Sequence, residues 1–174
     1  MTSTIVFDIT QAGYKSYTFP ASGLIVVTIG AVMLFFHFIH KRQNPPGSKA
    51  RLWGQSPWFF YFFFGFSCIW TITSFHSTYS DYTELRSAYE QGQCKRVEGR
   101  VENFKIAPKE KRKSDESFDV RGEHFYYANH YVSAGFNTSS IAGGPMKEGL
   151  YVRIHHCGND IARLEIVDDM KPNN

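Results

Sequence analysis

The chain has 174 residues and a formal net charge of +3, but its charged residues are unevenly distributed. No Asp, Glu, Lys or Arg occurs from Ser16 to His40 or from Leu52 to Ser80. Burying two such apolar helices in a soluble core would need more amphipathic chain than the remaining residues supply. The composition therefore argues against an ordinary soluble domain and predicts a membrane protein with two spans.

The two apolar segments set the predicted boundaries in the first part of the chain. Residues 1–19 are predicted to be an N-terminal tail, 20–40 the first transmembrane helix, 41–56 a connecting loop and 57–76 the second transmembrane helix. A helix of about 20 residues matches a hydrocarbon core of ~30 Å. The first apolar run lacks a short basic head, so we expect an uncleaved anchor rather than a signal peptide.

The connecting loop predicts the orientation in the membrane. It contains four basic residues and no acid: Lys41, Arg42, Lys49 and Arg51. Because positively charged loops stay in the cytoplasm, this loop is predicted to be cytoplasmic. Both termini and the C-terminal domain are then extracytoplasmic, in the periplasm next to a bacterial inner membrane.

The charge of the C-terminal part bears on its partners. From His76 onward there are 14 Lys and Arg against 15 Asp and Glu, a net charge of −1. Nucleic-acid binding depends largely on neutralising phosphates with basic residues. We therefore expect no nucleic-acid partner, and we expect the lipid bilayer and a protein partner or a second copy of the chain instead.

A short helix is predicted directly after the second span. In "SDYTELRSAYEQGQ" the acidic residues resemble a capping box, and Tyr82, Leu85 and Tyr89 recur at helical spacing. Gly92 is a natural helix stop. Residues 77–93 are therefore predicted to be a linker helix, followed by a β-domain at 94–168 and a tail at 169–174.

Period-two patterns predict five short strands in that domain. "KRVEGRVENF" alternates apolar residues with charges of both signs, and Gly99 suggests a bend or bulge. "APKEKRKSDE" is predicted to be a solvated loop. "SFDV" and "EHFYY" form a predicted hairpin around Arg121–Gly122, and "GLYVRIHHCG" and "NDIARLEIV" form another around Gly158–Asn159. The fold class is thus a membrane-anchored α+β chain carrying an OB-like barrel, with an SH3-like barrel or an open antiparallel sheet as alternatives.

The order of these motifs also resembles known proteins. A two-helix anchor followed by "VEGRVENF", "FDVRGEHFYY" and "GLYVRI…GNDIARLEI" resembles small uncharacterised bacterial membrane proteins that carry an OB-like extramembrane domain. The architecture is similar to that of the NfeD-like proteins. The resemblance covers roughly Tyr79 to Val167 and implies a fold only, with no catalytic residue and no cofactor.

Histidine and cysteine residues are the candidates for metal binding or a disulfide. His155 and Cys157 share one strand face because side chains alternate, and His124 could join them from another strand. A zinc site needs three or four convergent ligands, so we expect no metal and keep these three residues as the alternative. Cys94 and Cys157 both lie in the predicted extracytoplasmic domain, where oxidation is possible, so a disulfide between them stays open.

The long link between the third and fourth predicted strands, residues 128–149, is the candidate binding element. It includes "GFNTSSIAGGPMKEGL" but lacks the Gly-Lys-Ser/Thr of a phosphate-binding loop. Aromatic residues beside glycines suit a peptide, glycan or protein partner, although a plain connection between strands is the alternative. The predicted partner-binding residues are Tyr126, Tyr127, Tyr131, Phe136 and Asn137.

These patterns favour a non-enzymatic protein, because no nucleophile elbow or other catalytic motif occurs. The leading hypothesis is a membrane-anchored module whose extracytoplasmic domain binds a protein or an envelope component. The second hypothesis is an accessory subunit of a transporter or channel, with the spans forming the contact. The third is a metal-binding or enzymatic domain that uses the histidines and Cys157.

Overall fold

The computed structural model describes residues 3–43, 57–106 and 115–167. The predicted turn at residues 44–47, the basic residues Lys49 and Arg51, and the tail at 169–174 lie outside the described residues. In chain order the elements are β1 (Ser3–Asp8), α1 (Ile9–Ala12), α2 (Thr18–Gln43), α3 (Pro57–Glu90), β2 (Lys95–Arg100), β3 (Glu102–Lys105), β4 (Glu116–Val120), β5 (Glu123–Tyr127), a 3₁₀ turn (Ser140–Ala142), β6 (Tyr151–Cys157) and β7 (Asp160–Val167).

Internal contacts divide the chain into two units. A helical unit comprises Tyr17–Thr78, and a β-rich unit comprises Met1–Ser16 together with Tyr79–Asn174. The β-rich unit therefore contains both the first residues of the chain and everything after the apolar segments. This division matches the coarse expectation of two long apolar helices followed by a β-sheet region.

Two of the described helices, α2 and α3, are long and apolar enough to cross a membrane. Most of their apolar side chains are exposed, as is expected of helices that face lipid. The two helices approach closely at Gly23, where a Cβ atom would lie only 2.4 Å from the hydroxyl oxygen of Thr71. Thr71 is buried and donates its own hydrogen bond to the carbonyl oxygen of Ser67 at 2.7 Å. Small residues thus allow the backbones to pack tightly.

The predicted linker helix is continuous with the second apolar helix rather than separate from it. α3 runs unbroken over 34 residues, from Pro57 to Glu90. At ~1.5 Å per residue this is about 50 Å, longer than a hydrocarbon core of ~30 Å. No glycine or proline occurs between Ser67 and Gln91, so nothing interrupts the helix at the predicted boundary. The predicted stop at Gly92 is present, with a positive φ of 70°.

In its described residues the β-rich unit has seven strands in two sheets rather than the predicted five strands. One sheet has the order β1-β7-β6-β2 and the other has the order β3-β4-β5, with every described pairing antiparallel. Over the described residues the strands do not close into a barrel. Two strands make up the difference. The first predicted strand is divided into β2 and β3, and β1 pairs with β7 at the edge of its sheet, so the predicted N-terminal tail is in part a strand of the domain.

A single bent segment connects the two sheets. β2 and β3 are separated only by Val101, which is buried and exchanges main-chain hydrogen bonds with Gly149 and Leu150 at 2.9 and 2.8 Å. The chain therefore passes from one sheet to the other at Val101, not at Gly99. Gly99 pairs regularly with Val152, and its role is close packing, since a Cβ atom there would lie 3.2 Å from the Val120 side chain.

One core lies between the two sheets and the last turns of α3. Its fully buried side chains come from β4, β6, β7 and the long loop, and they include Phe118, Val120, Met146, Val152, Ile154 and Leu164. Tyr82 and Leu85 of α3 and Phe7 of β1 belong to the same cluster. Burying this apolar surface is the main force that holds the sheets together.

Candidate functional site

The five residues predicted to bind a partner all line one cavity. It has a volume of about 250 Å³ and lies among the end of β5, the first part of the 128–149 loop and the turn from β6 to β7. Its lining residues are Tyr126, Tyr127, Tyr131, Val132, Ser133, Phe136, Asn137, Asn159 and Asp160. We call this cavity the aromatic cleft.

The aromatic residues of the cleft have two different roles. Tyr126 and Tyr131 are 42% and 36% exposed, and their rings meet edge to face with centroids 6.4 Å apart. Val132 beside them is 45% exposed. Tyr127 and Phe136 are instead buried, with centroids 5.2 Å apart, and they belong to the hydrophobic core. The predicted set therefore contains two accessible tyrosines and two core residues that form the floor.

The polar side chains of the cleft are bonded to one another. Hydrogen bonds run from Tyr131 to Asp115 (2.5 Å), from Asn159 to the Tyr126 hydroxyl (2.8 Å), from Ser133 to Asp160 (2.6 Å) and from Asn137 to the carbonyl oxygen of Tyr131 (3.1 Å). The hydrogen bond to Asp115 raises the pKa of Tyr131, so its phenol stays neutral. These contacts fix the walls of the cleft and commit most of its side-chain donors.

A buried glutamate holds the floor of the cleft in place. Glu116 is fully buried and accepts hydrogen bonds from the Tyr127 hydroxyl at 2.9 Å, from the Ser140 amide at 2.9 and 3.0 Å, and from the Ser140 hydroxyl at 3.1 Å. Burial, and secondly the contact with Glu116, raises the pKa of Tyr127. The prediction that the segment ending at Glu116 is solvated is wrong at this residue, because composition does not reveal a buried carboxylate with its own donors.

Several main-chain donors in the glycine- and serine-rich part of the loop are bonded within the β-rich unit, either to the loop itself or to β4 and β7. Asn129 and Ser139 bond reciprocally, at 2.8 and 2.7 Å, and the Gly144 amide donates to the carbonyl oxygen of Ser139 at 2.8 Å. A Cβ atom at Gly144 would lie 2.2 Å from the carbonyl oxygen of Thr138. Glycine is therefore needed here for close packing. The loop is an ordered support for the cleft rather than a cradle for an anion.

The three alternative metal ligands do not come together. His124 bonds Asp119 through Nδ1 at 2.6 Å, which lowers the pKa of that aspartate. His155 packs against the ring of Tyr89, and burial lowers its pKa. Cys157 is consumed by a disulfide. In the part of the chain that the structure describes, no three His, Cys, Asp or Glu side chains are placed to hold a metal ion.

The disulfide that the sequence left open is formed between Cys94 and Cys157. Their Cα atoms are 4.6 Å apart. The bridge joins the residue before β2 to the end of β6, directly beside the pairing of Lys95 with His156. It therefore connects the segment after α3 to the turn that carries Asn159 and Asp160 of the cleft.

A row of alternating charges crosses the four-stranded sheet β1-β7-β6-β2. Arg153 contacts Glu98 at 2.9 Å and Glu165 at 3.0 Å, and Arg163 contacts Glu165 at 2.5 Å and Asp8 at 3.2 Å. The hydrogen bond from Arg153, followed by that from Arg96, lowers the pKa of Glu98 to about 2. Each carboxylate faces a guanidinium group, so this row stabilises the sheet rather than performing acid–base chemistry.

Sequence reasoning did not assign Val132, Ser133, Asn159 or Asp160 to the cleft. Asn159 was identified only as part of a turn, and its place beside Tyr126 depends on a contact between residues far apart in the chain. Comparisons with protein-family models, with curated proteins and with solved structures found no match. The function therefore has to be argued from the cleft itself.

Proposed function

We propose that this chain is a non-enzymatic, membrane-anchored binding protein. α2 and α3 anchor it in a bacterial inner membrane, and the β-rich unit lies on the extracytoplasmic side. The aromatic cleft binds a protein or an envelope component there. The observation that carries this proposal is the accessible surface formed by Tyr126, Tyr131 and Val132.

The composition of the cleft supports binding rather than catalysis. Exposed apolar and aromatic residues that cluster on a soluble surface mark interaction sites, and tyrosine supplies much of the energy of such contacts. Asp160 is bonded to Ser133, and the pKa of Tyr131 is raised. Neither group is therefore activated as a base or a nucleophile.

Two features support the extracytoplasmic location. The disulfide between Cys94 and Cys157 suits an oxidising compartment, since cytoplasmic thiols are kept reduced. α2 also ends with Lys41 and Arg42, which favour a cytoplasmic position for that end of the helix. A C-terminal fusion to alkaline phosphatase should be active, and a C-terminal fluorescent protein that needs the cytoplasm should be dark. The opposite result would contradict this orientation.

The strand order supports an OB-like arrangement that lacks one pairing of a closed barrel. The bent β2–β3 segment pairs with β6 on one side and with β4 on the other, β4 pairs with β5, and β6 pairs with β7. An OB barrel would add a pairing between β5 and β7. Here β1 occupies that edge of β7 from Arg163 to Val167. The Phe136 amide, from the loop, bonds the carbonyl oxygen of Ile161 on β7 at 2.9 Å. The NfeD-like resemblance stays part of this proposal.

Photo-crosslinking in native membranes tests the binding function. A benzophenone amino acid at Val132 should crosslink to a partner, and Tyr131→Ala should reduce the crosslink about tenfold, because truncating a central tyrosine removes a main contact. Ile141→Ala is the matched control, since Ile141 is exposed on the 3₁₀ turn and does not line the cleft. Equal crosslinking in the Tyr131→Ala variant and in the unsubstituted chain would contradict the proposal.

Co-purification of the partner distinguishes this proposal from the alternative of an accessory subunit. In that case the partner would contact the exposed faces of α2 and α3. Phe35→Ala, on an exposed face of α2, would then abolish co-purification of the partner while Tyr131→Ala left it unchanged. The binding proposal predicts the reverse dependence.

A further inference from the structure

The edge of the second sheet runs along the aromatic cleft. β5 pairs only with β4, so its other side is a sheet edge over the described residues. The hairpin turn at Arg121 and Gly122, both with positive φ, makes Val120 and Glu123 the first hydrogen-bonded pair. In an antiparallel pair these bonds alternate along the strand, so His124 and Tyr126 direct their main-chain N–H and C=O groups away from β4.

The main-chain N–H and C=O groups of His124 and Tyr126 are the donors and acceptors available to a ligand at the cleft. No described main-chain group pairs with those of His124 or Tyr126. The polar side chains of the rim, by contrast, are mostly bonded to each other. A glycan would need free side-chain donors and acceptors for its hydroxyl groups. An extended peptide instead uses main-chain groups at an edge strand.

We propose that the ligand of the aromatic cleft is an extended peptide segment of a partner protein, which adds to β5 as a further strand. This inference rests on the proposed binding function and specifies its ligand. Main-chain hydrogen bonds to His124 and Tyr126 hold the peptide, and one apolar or aromatic peptide side chain enters the cleft against Tyr126 and Tyr131. Alternate peptide side chains point away from the sheet.

The charges around the cleft restrict the peptide further. Asp160 lines the cleft and Asp115 bonds its tyrosine, and no lysine or arginine is among the described lining residues. An acidic peptide would meet like charges here, which costs binding energy. The cleft therefore selects neutral or basic segments.

A matched pair of proline and alanine variants tests strand addition. His124→Pro removes the edge N–H, and His124→Ala keeps it, while both remove the contact with Asp119. Because that N–H points away from β4, proline at this edge position leaves the β4–β5 pairing intact. Circular dichroism and thermal unfolding of the two purified full-length variants should agree, which shows that both are folded.

The probe is a phage library of random dodecapeptides, selected on the full-length protein in detergent micelles. The most enriched peptides are then synthesised for affinity measurements by isothermal titration. We expect peptides rich in β-branched and aromatic residues that bind His124→Ala and lose about tenfold or more in affinity for His124→Pro, because a main-chain bond and strand contact are lost. Methylating alternate peptide amides should have a similar effect.

Two results would overturn the inference. In the first, no dodecapeptide is enriched more strongly on the unsubstituted protein than on the His124→Pro variant. In the second, the enriched peptides bind His124→Ala and His124→Pro with equal affinity. Failure of strand addition is distinguishable from failure of binding. If the Val132 crosslink is lost in Tyr131→Ala but is unaffected by His124→Pro, the cleft binds its partner through side chains and the peptide inference is wrong. The inference is also wrong if chitotetraose, a glycan probe, binds the protein and loses affinity for Tyr131→Ala but not for His124→Pro. If neither Tyr131→Ala nor His124→Pro affects the crosslink, the proposed binding function itself is wrong.

Discussion

Removing the disulfide is the perturbation with the largest expected effect on the β-rich unit. Replacing both Cys94 and Cys157 by alanine avoids leaving a reactive thiol. The pairing of β2 with β6 should remain, because the two strands are paired from Lys95 with His156 to Arg100 with Tyr151 independently of the bridge. The loss should therefore arise mainly in the unfolded chain, which becomes free to explore more conformations.

The size of the effect follows from the length of chain that the bridge closes. The two cysteines are 63 positions apart. The loop-closure relation gives an entropy of about 14 cal/mol/K for a loop of this length, or about 4 kcal/mol of unfolding free energy at 25 °C. For a domain of roughly 100 residues this corresponds to a fall in Tm of about 15 °C or more.

The measurement uses the full-length protein in detergent micelles. Thermal and urea unfolding are followed by near-ultraviolet circular dichroism of the tyrosines, several of which lie in the β-rich unit. Cys68→Ala is the control, since Cys68 is the free cysteine of the described residues and lies in the helical unit. It should leave both transitions unchanged. Alkylation followed by mass spectrometry counts the free thiols before and after reduction.

Two outcomes would refute this reasoning. Alkylation of Cys94 and Cys157 without reductant would show that the bridge does not form in the native protein. If the bridge is present but the double variant unfolds within about 1 kcal/mol of the parent, the constraint on the unfolded chain is not what the bridge contributes.

Two further predictions concern charged residues. Because the folded pKa of Glu98 is lowered to about 2, its contribution to stability is complete above its unfolded pKa of about 4.5 and is lost as the pH falls toward 2. The urea midpoint of the β-rich unit should fall over that range, and Glu98→Gln should flatten the fall; an identical pH profile for the variant would contradict this. Glu116→Gln should cost about 2–3 kcal/mol, because its amide donors would face the donors of Ser140 and Tyr127, whereas Tyr127→Phe should cost less. Equal losses of unfolding free energy in denaturant titrations would show that the carboxylate is not the centre of this network.

The local patterns of the sequence predicted what depends on neighbouring residues. The two apolar helices, the hairpin turn at Arg121–Gly122 and the paired final strands all follow from composition, period and turn residues. The five predicted cleft residues also come together, because the aromatic residues at the end of β5 are close in sequence to those of the loop. Local chemistry was sufficient for these elements.

Contacts between distant segments were not predictable in this way. β1 is short, and its pairing partners are 155 to 164 residues later in the chain, from Asp8 with Arg163 to Ser3 with Val167, so no local signal identifies it as part of the sheet. Glu116 follows a strongly charged segment, and only its contacts with Ser140 and Tyr127 reveal that it is buried. The continuity of α3 past residue 76 was not predicted, because bilayer thickness limits a membrane span and not the helix that contains it.

The pairing of β1 with β7 has a consequence for vectorial synthesis. Ribosomes add roughly 5–20 residues per second, so β1 is made on the order of ten seconds before the strand that it pairs with. Throughout that interval its amide and carbonyl groups have no permanent partner in the sheet. The hydrogen-bonded edge of this sheet is therefore completed only after β7 has been synthesised and, in the proposed orientation, has crossed the membrane. A chaperone that shields unpaired strands would act on β1 until then.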